Sequence, residues 1–295
     1  MQFDRTLDVP AGALVRLSPL VSRLLAPNPG PFTFKGTGVY ILGTGSRVAV
    51  IDPGPDQPDH IEALKRAIGP RRISHILVTH THRDHSPASA ALKAWSGAAT
   101  YGLALGSREA PLVAGEGTVD EAHDHDFVPD IAVADRMRIG GDGFELECVA
   151  TPGHTANHIC YALAQEKALF TGDHVMGWST SVIAPPDGDM GAYLASLEKL
   201  AVRDDRIFYP THGSPVTNPK AWLGQLIAHR HMREEQILSA LAGGAQPIAA
   251  LVEKLYPDIP PALRAAAAQQ VLAHLWHLQA RGQAAPDTGL WRLTI

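Results

Sequence analysis

Hydrophobic residues in the first part of the chain occur in short runs that glycine and proline interrupt. Residues 39–42 and 48–51 are two such runs, and the glycine-rich stretch between them predicts two strands joined by a tight turn. With the broken apolar runs from residue 14 onward, they predict a β meander at the start of the chain.

The hydrophobic spacing becomes helical after Pro58. Apolar residues recur three and four positions apart, at Ile61, Leu64 and Ile68. A strand is predicted over residues 73–79. Ser86 and Pro87 then have the pattern of an N-cap followed by a first-turn proline, which predicts a second helix ending at Gly97.

The same order of strands and helices recurs in the second half of the chain. Strands are predicted over residues 144–150, 159–163, 168–170 and 206–209, with a helix over 191–202. Two halves of this kind predict an α/β (α+β) layered sandwich, with sheets inside and helices outside.

The composition changes near the C-terminus. Asn218 and Pro219 predict the start of a long helix that runs to about Leu241. Alanine-rich helical segments follow, and the tail reads as strand, Asp-Thr-Gly turn and strand. We therefore predict two domains, a main domain over 1–244 and a small winged-helix domain over 245–295.

Charge and composition narrow the functional classes. The 295 residues are 45% hydrophobic and carry a formal net charge of -5, which disfavours nucleic acid and anionic membranes as partners. Cys148 and Cys160 lie in apolar runs and are predicted to be buried thiols, not a disulfide. No targeting or membrane-length segment is visible, so we predict a cytoplasmic protein without membrane association.

One stretch is rich in metal-ligand side chains. Residues 78–86 read VTHTHRDHS and place His80, His82, Asp84 and His85 within six positions of a strand-to-helix loop. Imidazole and carboxylate groups suit zinc. Side chains two residues apart on an extended segment can converge on one ion while the next pair faces another, so the stretch predicts two half-sites.

Three further candidate ligands each follow a predicted strand. His154, Asp173 and His212 lie in the sequences TPGH, TGD and THG, beside glycine or proline residues that allow sharp turns. Each alone is more typical of a turn. Together with the histidine-rich stretch they complete a set of seven.

The order HTHRDH, TPGH, TGD and THG resembles the metallo-β-lactamase superfamily over residues 39–213. The resemblance implies a four-layer αββα sandwich and a binuclear zinc site. One zinc would be bound by His80, His82 and His154, the other by Asp84, His85 and His212, and Asp173 would bridge them. The upstream sequence IDPG resembles the family's first motif, in which Asp52 would support the ligands. A simple turn aspartate is the alternative.

A more specific resemblance, to the lactamase beta 2-like hydrolases, rests on three segments and the winged-helix tail. The segments are NPGPFTFKGTGVYILG, GDHVMGWSTSV and AHRHMREEQIL. Two features depart from relatives: Thr211 precedes His212 where glycine is frequent, and His174 follows the bridging aspartate. His174 either touches the site or packs beside it. His158 has two comparable possible roles: it supports a metal ligand, or it only packs in the core.

The chemistry implied is hydrolysis. Two Zn²⁺ ions, with iron or manganese as alternatives, would share a hydroxide that attacks an ester, thioester or lactone substrate. Asp84 would handle the proton and Asp173 would hold the metals apart. The net charge disfavours the alternative of an endoribonuclease acting on single-stranded RNA.

Two other functional hypotheses have less support from the sequence. A mononuclear iron dioxygenase would use Asp173 with two of the histidines and leave the second site empty, and a non-enzymatic role would leave the metal site vestigial. The sequence does not indicate the oligomeric state, and a homodimer is one possibility. Substrate specificity is expected to lie in the loops 102–130 and 176–190, whose sequences do not indicate a particular substrate.

Several other polar residues are predicted to be structural. The sequence His123-Asp124-His125-Asp126 imitates ligand spacing but is expected to form a solvated rim of the site. The remaining candidates lie on predicted helices. Histidines expected at the surface or at helix caps are His229, His231, His274 and His277. Residues expected to form i to i+4 ion pairs are Arg230, Arg233, Glu234 and Glu235, with an acidic substrate as the alternative partner of the arginines.

Overall fold

The structure is a computed structural model that describes residues 1–105 and 123–294. Within these ranges the chain forms two facing β-sheets, helices on the outer face of each sheet, and a C-terminal helical module. This is the four-layer αββα arrangement that the sequence predicts.

The first sheet has seven strands in chain order. They are β1 (Leu14–Arg16), β2 (Val21–Leu25), β3 (Gly38–Leu42), β4 (Arg47–Ile51), β5 (Arg72–Leu77), β6 (Ala99–Gly102) and β7 (Ile131–Ala132). Strands β1 to β4 are antiparallel, which confirms the meander, and β4 to β7 are parallel. Helices α1 (Pro58–Ile68) and α2 (Ala88–Ser96) make the crossovers on either side of β5.

The second sheet has five strands. They are β8 (Arg138–Gly140), β9 (Glu145–Ala150), β10 (Ile159–Leu163), β11 (Ala168–Gly172) and β12 (Ile207–Pro210). Strands β11 and β12 are parallel because helix α3 (Met190–Ala201) connects them, and the other pairs are antiparallel.

The main core lies between the two sheets. Tyr40 and Leu77 of the first sheet pack there with Leu146, Tyr161 and Phe170 of the second, and all five are at most 1% exposed. Two further clusters fill the outer faces, one against α1 and α2 and the other against α3. Both cysteines are buried free thiols, as predicted.

The C-terminal part begins with a long helix, α4 (Pro219–Ala242), which Asn218 caps as predicted by accepting from the amide of Ala221. Helices α5 (Ile248–Leu255) and α6 (Arg264–Ala280) and the hairpin β13–β14 (Ala284–Asp287, Leu290–Leu293) share a separate hydrophobic core with α4. Helix α4 also packs on α3, so it belongs to both halves of the molecule. The boundary at residues 244 and 245 stays a prediction.

The prediction for Ser86 is wrong. Helix α2 begins at Ala88 without a side-chain cap, and the Ser86 hydroxyl donates instead to the Asp124 carboxylate at 2.6 Å. Ser86 therefore ties the histidine-rich loop to the segment at 123–126. Within the described residues, no helix has the length and apolarity needed to cross a bilayer.

Candidate metal centre

The seven predicted ligands lie just beyond the carboxyl ends of four strands. The histidine-rich loop follows β5, His154 follows β9, Asp173 directly follows β11, and His212 follows β12. The two sheets face each other, so the ends of these strands meet at one edge of the sandwich. The side chains form two adjacent groups, one containing His80, His82, His154 and Asp173, the other Asp84, His85 and His212.

The first group is built around three imidazole nitrogens. Nδ1 of His82 lies 2.9 Å from Nε2 of His80 and 3.2 Å from Nε2 of His154. Oδ2 of Asp173 lies 3.8 Å from Nε2 of His154. Several lone-pair donors thus converge on a small buried volume, as expected for a site that binds a cation.

The second group contains two histidines and two carboxylates. Oδ2 of Asp84 lies 3.3 Å from Nε2 of His85 and 3.1 Å from Nε2 of His212. The Asp173 carboxylate reaches this group as well, because its Oδ2 is 3.6 Å from Nε2 of His85 and its Oδ1 is 3.3 Å from Nε2 of His212. Asp173 therefore lies between the two groups.

Backbone carbonyls on the far side of two of the rings direct the other nitrogen into the site. Nδ1 of His154 donates to the Val182 carbonyl at 2.6 Å, and Nδ1 of His212 donates to the Gly36 carbonyl at 3.2 Å. A carbonyl only accepts, so Nδ1 carries the hydrogen and Nε2 faces the cluster. Nε2 of His85 and Oδ1 of Asp173 are buried and have no hydrogen-bond partner among the described residues. The donor set fits divalent cations.

The charges of the groups agree with this fit. Burial, helped by neighbouring histidines, lowers the pKa of His80 well below its ordinary value, which leaves a neutral ligand. Burial opposes ionisation of Asp173, but His212 and His85 outweigh it and hold the pKa of that carboxyl well below its usual range. Burial likewise opposes protonation of His212, but Asp173 and Asp84 raise its pKa to about 10. A bound cation can replace such a proton.

Asp52 lies behind the second group. Its carboxylate accepts from Nδ1 of His85 at 3.0 Å, from the amide and hydroxyl of Thr79 at 2.7 and 2.8 Å, and from the Thr211 hydroxyl at 3.0 Å. Four hydrogen bonds hold a residue that is 1% exposed and has a φ of 50°. This geometry favours support of a ligand over the alternative of a simple turn residue.

His158 and His174 are both fully buried behind the first group. The ring of His158 lies 5.1 Å from that of His80, and its Nδ1 lies 2.8 Å from the Thr151 hydroxyl. The ring of His174 lies 4.7 Å from that of Tyr193 and 5.6 Å from that of His158. His174 therefore packs beside the site: its ring contacts those of Tyr193 and His158, and the His158 ring contacts that of the candidate ligand His80.

The segment at 123–126 does form part of the rim, but His123 is not solvated. It is 8% exposed, forms a backbone bridge with His82, and its ring lies 4.7 Å from the His82 ring. Among the described residues, no group of metal-ligand side chains includes it. Much of the predicted specificity loop 102–130 lies outside the described residues.

The predictions for the helical histidines and ion pairs are partly wrong. His274 is 1% exposed, and Glu234 is buried and pairs with His277 at 2.6 Å and with Arg281 at 3.4 Å. Arg230 is 1% exposed and donates to the Ser181 carbonyl instead of pairing along its own helix. Arg230 and Glu234 are buried on the side of α4 that packs against α3 and α6, so most of their partners come from outside α4.

Thr37 also contacts the cluster, a contact that the sequence does not predict. Its hydroxyl donates to Oδ2 of Asp84 at 3.0 Å, and Asn28 holds Thr37 in place through its backbone amide and its hydroxyl. The segment containing Thr37 does carry the resemblance described above, but neither spacing nor composition indicates which hydroxyl reaches a ligand from 47 residues away.

Comparison with known proteins agrees with this architecture. A sequence model described as the metallo-beta-lactamase superfamily matches residues 33–212, and one described as a beta-lactamase associated winged helix domain matches residues 248–291. The chain belongs to the metallo-β-lactamase superfamily. Both the superfamily resemblance and the C-terminal winged helix are thereby confirmed, and the protein is a metallo-β-lactamase-fold hydrolase.

Individual relatives support the same conclusion. A "Beta-lactamase-like protein 2 homolog" of Caenorhabditis elegans is 32% identical over 87% of this chain and 83% of its own length. An "Atrochrysone carboxyl ACP thioesterase" of Paecilomyces divaricatus is 34% identical over 77% of this chain, which spans 66% of that enzyme. A beta-lactamase domain protein from Burkholderia ambifaria has the same fold, with a TM-score of 0.82, 18% identity, and coverage of 99% of this chain and 96% of its own.

Proposed function

We propose that this metallo-β-lactamase superfamily member is a thioesterase that uses two zinc ions. The observation that carries the proposal is Asp173, whose carboxylate lies between two assembled ligand groups. The identity to a relative named as a thioesterase supports a thioester over an ester or a lactone.

The residues that would hold the ions follow from the two groups. His80, His82 and His154 would hold one zinc, Asp84, His85 and His212 the other, and Asp173 would contact both. Two such ions supply Lewis acidity for the carbonyl oxygen and lower the pKa of water toward neutrality. We propose Asp52 and Thr37 as the residues that orient His85 and Asp84 through the hydrogen bonds described above.

Hydrolysis adds water across the C–S bond of the thioester. The carbonyl carbon gains the water oxygen, and the sulfur leaves with the bonding electron pair and takes up a proton. The side chain of Asp84 is 25% exposed, against 11% for Asp173. Asp84 is therefore the carboxylate of the site that best reaches both the water and the incoming substrate, and we propose that it passes the proton to the leaving group.

The alternatives have weaker support. A mononuclear iron dioxygenase leaves the second group without a role, whereas Nε2 of His85 and of His212 lie 3.3 and 3.1 Å from the same oxygen of Asp84. An endoribonuclease would have to bind the RNA polyanion with a chain whose formal net charge is -5, and like charges repel. We therefore place RNA cleavage and iron chemistry among the outcomes of the test.

The test begins with elemental analysis of the purified protein and of the protein refolded with zinc. Turnover is then measured on S-phenyl and N-acetylcysteamine thioesters, a lactone and single-stranded RNA. The variant is Asp84→Ala, and Asp56→Ala, an exposed aspartate of another loop, is the matched control.

Zinc-dependent thioester turnover that Asp84→Ala abolishes and Asp56→Ala retains supports the proposal. Cleavage of RNA with inert thioesters, lost in Asp84→Ala, replaces it with the endoribonuclease. One equivalent of iron with oxygen uptake replaces it with the dioxygenase. A protein that retains no metal after refolding with zinc overturns the proposal altogether.

A further inference from the structure

Three consecutive residues beside the metal centre connect it to the C-terminal helices. Ser181, Val182 and Ile183 lie in the loop between β11 and α3, and Ser181 and Ile183 are 1% and 0% exposed. Each uses a backbone group to contact a side chain far away in the sequence. The segment 181–183 is therefore held from several directions.

The middle residue contacts a candidate ligand directly. The carbonyl of Val182 accepts from Nδ1 of His154 at 2.6 Å, and this bond sets which ring nitrogen faces the site. Ser181 reaches the bridging carboxylate's own backbone, because its Oγ lies 2.5 Å from the Asp173 carbonyl and 2.9 Å from that of His174. A shift of the segment 181–183 would displace both His154 and Asp173.

The two outer residues are held by the C-terminal helices. Arg230 of α4 donates from Nη2 to the Ser181 carbonyl at 2.6 Å, and the carboxamide oxygen of Gln270 in α6 accepts from the Ile183 amide at 3.1 Å. Gln270 belongs to the winged-helix domain and is 8% exposed. The two contacts flank the carbonyl that orients His154.

The surroundings of Arg230 are unusual for a residue with only a structural role. It is 1% exposed, and among the described residues no carboxylate lies within 4.0 Å of its guanidinium, which contacts the Ser181 carbonyl and the face of Tyr193 at 4.9 Å. The Tyr193 hydroxyl in turn lies 3.1 Å from the His174 carbonyl. A buried charge without a counter-ion at that distance is costly, which distinguishes Arg230 from a side chain that only fills space in the core.

We propose that Arg230 and Gln270 are positioning residues for the metal centre: by fixing the segment 181–183, they set the orientation of His154 and Asp173. The winged-helix domain then contributes to metal binding through Gln270, 116 positions beyond His154 in the sequence. The inference rests on the proposed metal site.

The test compares Gln270→Met with Gln269→Met in the full-length protein. Methionine keeps the length of the side chain and removes the oxygen that accepts from Ile183. Gln269 is the adjacent, equally buried residue of α6, at 7% exposure, and makes none of the contacts to the segment 181–183. Affinity for Co²⁺ is measured by competition with a chelator, the d–d absorption spectrum reports ligand geometry, and apo-protein melting reports stability.

We expect Gln270→Met to weaken Co²⁺ affinity by about tenfold, the low end of the 10–100-fold range for partners of ligands, and to alter the spectrum. Gln269→Met should do neither. Arg230→Met should also weaken Co²⁺ affinity and alter the spectrum. If Arg230→Met fails to fold, the result for Gln270→Met alone tests the inference.

Wild-type affinity and spectrum in Gln270→Met overturn the inference, and so does a loss of melting temperature without any change in metal binding. A wild-type protein that binds no Co²⁺ and no zinc overturns the proposed function instead. The two failures are therefore distinguishable.

Discussion

Nε2 of His212 lies 3.3 Å from Oδ1 of Asp173, at the point where the two ligand groups meet. The other oxygen of the same carboxylate lies 3.8 Å from Nε2 of His154. One side chain thus faces both groups, and in the proposed binuclear site it would contact both ions.

Replacing Asp173 by asparagine tests this shared role. Asp173→Asn keeps the size of the side chain but removes a negative charge and one acceptor. We expect the zinc content to fall from about two ions to one or fewer, and thioester turnover to fall by more than about 100-fold, because losing even a partner of a ligand costs 10–100-fold. Elemental analysis and initial rates provide the measurement. Two retained ions with normal turnover would rule out a bridging role.

Asp52 should affect the metal without touching it. Asp52→Asn tolerates the positive φ of 50°, since asparagine adopts this conformation readily, but it weakens the contact to Nδ1 of His85. We expect zinc affinity to drop by about 10–100-fold. Asp56→Asn, an exposed position in the same loop, is the control and should bind zinc normally. Equal affinities of the two variants would contradict the supporting role.

Tyr40 stabilises the chain that leads to His212. Its hydroxyl donates to the Pro210 carbonyl at 2.6 Å, and burial raises the pKa of Tyr40 to about 12, so the bond persists at neutral pH. Tyr40→Phe should lower the free energy of unfolding by about 1–2 kcal/mol. Urea denaturation measures this, and Tyr256→Phe, at a partly exposed position, should change it by less. No difference between the two variants would count against the contribution of this bond.

Glu234 should make stability depend on acid pH. Burial opposes its ionisation, but His274 and His277 outweigh burial and lower its pKa to about 2 from an ordinary 4.5. A lowered pKa in the folded state means that the stabilisation is fully present above about pH 4.5 and is lost as the pH falls toward 2.

Glu234→Gln removes that stabilisation at every pH. We expect it to unfold about 1–3 kcal/mol more easily than the wild type at pH 7, because a buried hydrogen-bonded carboxylate is lost, and the difference to shrink below pH 4.5. Urea denaturation at pH 7, 5 and 3.5 measures the difference. A difference that stays constant over this range would show that the carboxylate does not titrate with folding.

Local patterns were sufficient for most of the fold and for the set of side chains that cluster at the edge of the sandwich. The predicted strand ends at residues 79, 170 and 209 lie within two residues of the observed ends at Leu77, Gly172 and Pro210, and a candidate ligand follows each end closely. Ligand chemistry is also local, because a histidine or an aspartate after a strand already has the required donor atom. The sequence motifs then placed the chain in its superfamily.

Contacts between distant segments were not predictable in this way. Ser86 looked like a helix cap, but its hydroxyl donates to Asp124, which is 38 residues away. Arg230 and His274 looked like surface residues of helices, because periodicity identifies a polar face but not the polar partner that another element brings to it.

The sequence by itself therefore determined most of the elements, their order and the types of side chain that follow the strands, because these depend on residues within a few positions of one another. Only the tertiary structure decided which groups hold those side chains in place. The Val182 carbonyl behind His154 and the Gln270 oxygen behind Ile183 come from 28 and 87 residues away. Such contacts exist only once the sheets and helices have packed.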